Sequence, residues 1–164
     1  MRYHHDRHAN RTGFTLIELV VVIVLAAILS VFVAPRLDIG FFRKTGFFQQ
    51  AHASIRYAQK MAIGSGCHTE INITAGGCTL RWSNPSAVPN CPADAQSIPN
   101  PATGQNNFCG SSTPEAAPTG GNFRFDKIGR PMNTANAILT SARDVVIGTR
   151  TVRVEAETGY AHEI

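Results

Sequence analysis

The sequence has little charge: of 164 residues only 16% are Asp, Glu, Lys or Arg, and the formal net charge is +4. It shows no Ser-His-Asp order, no glycine-rich phosphate loop and no paired-carboxylate signature. A recognisable catalytic set is therefore missing, and the chain reads as a non-enzyme with no expected cofactor. Its four cysteines form no C-x-x-C pair, which gives little support to zinc binding or thioredoxin-type chemistry. The length permits one domain with a moderate core and excludes a polytopic membrane protein. The clearest absence is local. From Leu19 to Ala34, 16 consecutive positions carry no charge, and Ser30 is the only polar side chain among them.

That block belongs to a longer apolar run, Phe14 to Ala34, of 21 residues. As a helix it reaches roughly 31 Å, enough for a bilayer's hydrocarbon core. Its apolar residues surround every face, so a buried core helix would need more covering chain than 164 residues supply. A cleaved secretory signal needs small residues before the cut. Here Phe32-Val33-Ala34 is followed at once by Pro35 and has a bulky residue at the wrong place. A single-pass anchor fits better. Arg2, Arg7 and Arg11 precede the run while Arg36, Arg43 and Lys44 follow it, so flanking charge does not fix the orientation. Glu18 disturbs the simple anchor, because a lone carboxylate in an apolar stretch calls for a partner or a proton.

Gly13-Phe14-Thr15-Leu16-Ile17-Glu18, with the apolar stretch behind it, resembles the type III signal of type IV pilins and type II secretion pseudopilins. The resemblance implies that residues 1–13 are a leader, cut after Gly13 by a prepilin peptidase that then methylates the amine of Phe14. It implies that residues 14–35 form a transmembrane and filament-core helix, and that Glu18 neutralises the terminal amine of a neighbouring subunit. Such a pair offsets two otherwise costly charges. The implied location is the inner membrane, single-pass with the remainder in the periplasm, and afterwards the pilus or pseudopilus. The partners are other pilin or pseudopilin subunits.

Residues 36–164 read as a globular α+β domain. Phe41, Phe48, Ile55 and Ala62 recur every seven residues beside Phe47, Ala51, Ala58 and Met61, which predicts an amphipathic helix from Arg36 to about Ile63. Pro35 predicts a break before it, and Gly64-Ser65-Gly66 its end. Alternation predicts strands over His68–Thr74 and Cys78–Ser83 about Ala75-Gly76-Gly77, and over Asn122–Asp126. A last hairpin, Val145–Gly148 and Val152–Glu155, turns about Thr149-Arg150, and Gly159 ends it before a short tail. The expected architecture is a long helix packed on an antiparallel sheet. The FDKIGRP segment and the closing TVRVEAETGYAHEI also resemble those of minor pilins and H-type pseudopilins, among them C-type minor pilins of mannose-sensitive haemagglutinin pili.

Thr79 to Gly121 holds seven of the nine prolines, and past Ser83 it has no convincing period, so residues 84–121 read as an excursion or long loop. Cys67, Cys78, Cys91 and Cys109 are an even count beyond the apolar run, which in an oxidising compartment favours two disulfides. A Cys67–Cys78 bridge conflicts with an ideal hairpin, since about eight residues of strand separate them. Bridges that tie the excursion onto the sheet are favoured.

The histidines suggest no metal site: His4, His5 and His8 lie in the leader, and His52, His68 and His162 are dispersed. Asn72-Ile73-Thr74 matches a glycosylation sequon inside a strand. Asp144, Glu155 and Glu157 are the acids available for calcium, which some major pseudopilins bind, but they lack ligand-loop spacing. Without the leader the basic count falls from 15 to 12 and the acidic from 11 to 10, leaving +2. Arg143, Arg150 and Arg153 are the candidate nucleic-acid contacts, opposed by Asp144, Glu155, Glu157 and Glu163 in the same region.

Overall fold

The structure, a computed structural model, describes residues 14–33, 39–84 and 88–164. The chain divides into two compact units, Met1–Asp38 and Ile39–Ile164. Among its described residues the first contains the helix α1 (Leu16–Val33), of 18 residues. It starts two residues later than the apolar run because Thr15 serves as its cap, the Glu18 N–H donating to Thr15 Oγ1 at 3.3 Å.

The second unit opens with α2 (Ile39–Ser65), 27 residues long. Gly66 ends it at φ +68°, a conformation that costs glycine little, and its N–H donates to Ala62 O at 3.0 Å. The expected start at Arg36 lies outside the described residues, and the helix runs two residues past Ile63. Phe47, Phe48, Ala51, Ile55, Ala58 and Ala62 are buried along one stripe. Phe41 departs from the expectation: it shares the seven-residue spacing yet is 60% exposed. Periodicity fixes its side of the helix, and there Phe41 lines an open groove with Ile147 and Arg150 of the β7–β8 hairpin without being buried by it.

Two antiparallel sheets form, where the alternation pattern suggested one. Strands β1 (Thr69–Thr74), β2 (Gly77–Trp82), β3 (Asn107–Cys109), β5 (Asn122–Phe125) and β6 (Pro131–Met132) give the order β3-β2-β1-β5-β6. Strands β4 (Pro118–Thr119), β7 (Arg143–Ile147), β8 (Arg150–Val154) and β9 (Ala161–Glu163) give β4-β7-β8-β9. The β1–β2 turn is tighter than expected: Thr74 pairs with Gly77, leaving only Ala75 and Gly76 between the strands. Gly77 sits at φ +135°, and a Cβ there would meet the Asn107 side chain at 2.5 Å. The last hairpin turns at Gly148-Thr149, one residue early, because Ile147 pairs with Arg150. The expected tail after Gly159 instead adds β9 to the sheet.

The excursion is ordered where it is described. It supplies β3 and β4, a short 3-10 turn at Pro114–Ala116, and a bridge from Ser97 to Arg81. Runs of two or three paired residues are too short to show a period. Both sheets and α2 share one hydrophobic core, with Ile71, Leu80, Phe123 and Phe125 from the first sheet and Val145, Val152 and Val154 from the second. Burying each such side chain stabilises the fold by about 1.5–3 kcal/mol. Thr69 is fully buried against this core, and its Oγ1 donates to Ala58 O at 3.0 Å, so the buried hydroxyl is satisfied.

Candidate assembly site

The residues singled out at the N terminus gather where α1 begins. Gly13 lies outside the described residues. Phe14 and Thr15 precede the helix in non-helical conformation, with Phe14 82% exposed. Thr15-x-x-Glu18 is half of a capping box, with an acid in the first turn where the helix dipole favours negative charge. Thr15 went unnoticed in the sequence, although its spacing to Glu18 carried the signal.

From Leu16 to Leu29 every large side chain of α1 is exposed, on all sides. Ser30 Oγ donates to Ala27 O at 2.7 Å, so the one polar group of the uncharged stretch is returned to its own helix. Glu18 has no such outlet: among the described residues its carboxylate has no hydrogen-bond or ion-pair partner. The site is thus one carboxylate at the head of an otherwise apolar helix. Among the described residues no helix is long and apolar enough to cross a membrane. The 18 residues of α1 cover about 27 Å, just short of a hydrocarbon core of about 30 Å.

The remaining candidates are held elsewhere. Cys67 is bonded to Cys91 and Cys78 to Cys109, with Cα atoms 5.7 and 5.0 Å apart. The second bridge joins residues directly paired across β2 and β3. The three arginines are each committed within the chain. Arg143 Nε donates to Gly120 O at 3.0 Å, Arg150 makes two bonds to Glu163, and Arg153 makes two to Asp144. Hydrogen bonding from Arg153 holds the Asp144 carboxyl below its ordinary value, and Arg150 does the same for Glu163. Arg150 and Arg153 are thus charge-paired with carboxylates, whereas Arg143 meets only backbone carbonyls. His52 faces Ala161 O at 3.1 Å, and His162 lies 3.7 Å from Glu155. Among the described residues no group of three or more His, Cys, Asp or Glu side chains is placed to hold a metal ion.

The FDKIGRP segment also has a local explanation. Asp126 accepts the N–H groups of Ile128 and Arg130 and two bonds from the Arg130 guanidinium, closing the β5–β6 turn.

A helix apolar on every side, headed by a capped glutamate and followed by an α+β unit, is a pilin-like build. Residues 8–34 match the family model for the prokaryotic N-terminal methylation motif, the signal of type IV pilins and pseudopilins, so the chain carries that signal ahead of its α+β unit. Neither the curated proteins nor the solved structures include a match to this chain.

Proposed function

We infer that the chain is a minor subunit of a type IV pilus, of the mannose-sensitive haemagglutinin type, and that it acts structurally in filament assembly or initiation. The observation that carries this reading is Glu18, unpartnered at the head of an exposed apolar helix within the matched motif. Cleavage after Gly13 by a prepilin peptidase frees the amine of Phe14. That amine on one subunit and Glu18 on its neighbour then offset each other's charge in the apolar filament core. Before assembly the apolar helix anchors the chain in the inner membrane.

The test has two arms. Substituting Gly13 leaves residues 1–13 attached, read by mass spectrometry of membrane fractions. Glu18→Ala is processed normally but fails to enter sheared filaments. Wild-type protein that still starts at Met1 beside an active peptidase overturns the reading. An H-type pseudopilin of a type II secretion system is the second reading, supported by the FDKIGRP segment, and secretion in a deletion strain separates the two. A filament-displayed adhesin or DNA-binding subunit is third.

A further inference from the structure

The first two turns of α2 lie outside the buried core, with Phe41 and Lys44 lining an open groove beside the β7–β8 turn. From Gly40 to Gly46 no residue is buried, and the core begins at Phe47. Phe41 and Phe42 are 60% and 64% exposed there, their rings edge-to-face at 6.1 Å. Exposed Arg43 follows directly, then Lys44, and α2 contains no acidic residue over its 27 positions. Adjacent exposed aromatics with basic neighbours are expensive in water alone and suit a membrane interface, where rings enter the acyl boundary and cations meet headgroup phosphates.

Covalent connection puts this pair within range of such an interface. Phe41 is eight residues beyond Val33, the last residue of α1, so its backbone lies at most about 29 Å from that helix end. We propose that Phe41, Phe42 and Arg43 form a docking surface for the anionic bilayer in which the unassembled subunit is anchored, seating the start of α2 among the headgroups. The inference rests on the anchoring role given to α1 above.

The test uses the full chain in vesicles of phosphatidylcholine, with or without phosphatidylglycerol, some brominated near the headgroup. Trp82 is the chain's only tryptophan, so Phe42→Trp in a Trp82→Phe background reports this position alone. The parent and Phe42→Trp proteins, both retaining Trp82, give the same answer by difference should that background fail to fold. Val24→Trp reports α1 separately. The expected result is blue-shifted emission from the Phe42→Trp reporter, quenched about twofold by brominated lipid and more strongly with phosphatidylglycerol. Arg43→Ala lowers the seated population about fivefold in anionic vesicles and leaves it unchanged in neutral ones. A quenched Val24→Trp reporter with an unquenched, water-like Phe42→Trp reporter overturns the inference and leaves the anchoring role intact. Neither reporter quenched overturns both. A Phe42→Trp reporter shielded only as subunit density rises, without lipid quenching, assigns the surface to a second copy and overturns the inference as well.

Discussion

The Arg150 guanidinium lies 3.7 Å from the centre of the Phe48 ring, with its edge held by both oxygens of Glu163. Strand β8 thereby closes the end of the core against α2 with a charge, because Phe48 is almost completely buried beneath it. Arg150→Ala removes that cover and should destabilise the globular unit by about 1 kcal/mol, the magnitude of a half-exposed cation–π contact. Urea unfolding followed by Trp82 fluorescence measures it. Unchanged stability would show the contact to be decorative.

The two carboxylates bound by arginine make stability depend on acid. Asp144 and Glu163 both titrate below their ordinary values of 3.8 and 4.5. A depressed folded value contributes stability above the unfolded value and loses it as pH falls through the folded one. Melting temperature should therefore hold to about pH 5 and drop below about pH 4. Asp144→Asn with Glu163→Gln should flatten that drop, seen by comparing acid and neutral thermal scans.

Gly159 occupies φ +67°, and a Cβ on it would run into the Gly129 carbonyl and the Gln59 amide. Gln59 Nε2 donates to Thr158 O at 2.7 Å and Gly129 O at 3.3 Å, so this crossing joins α2 to the turns that end both sheets. Gly159→Ala should cost at least the roughly 1–2 kcal/mol of left-handed backbone, plus the displacement of Gln59. Gln59→Ala should cost about 1 kcal/mol by itself, and the two effects should not add. A double-mutant cycle checks this.

The bridges close 24- and 31-residue loops, so their effects on the unfolded chain are nearly equal. Their surroundings differ. Cys78 and Cys109 both belong to the core, whereas Cys91 is half-buried in the excursion. Replacing Cys78 and Cys109 by Ser should cost more than the roughly 2–5 kcal/mol typical of a native bridge, since it also buries hydroxyls. Replacing Cys67 and Cys91 should chiefly expose the excursion to protease, read by cleavage between residues 84 and 106.

Much of this fold was legible from pattern. The stripe of α2 and the alternation of β1, β2 and β5 come from runs of residues long enough for burial to repeat. The N-terminal site was legible for a different reason: a single acid stands out against an apolar run. What pattern could not show depends on register. The partners of Cys67 and Cys109 follow from where β3 docks on β2, a fact carried by three residues without periodicity. The exposure of Phe41 depends on how closely the β7–β8 hairpin approaches it, which the sequence of α2 does not contain.

The two bridges interleave along the chain, Cys67 to Cys91 across Cys78 to Cys109. In chain order the first two thiols are Cys67 and Cys78, which are not partners. Once the β1–β2 hairpin closes, Cys78 stands opposite Ile73, six residues and about 20 Å along the strand from Cys67. The hairpin thus acts as a proofreading step: early closure withholds each thiol from the wrong mate until the excursion arrives.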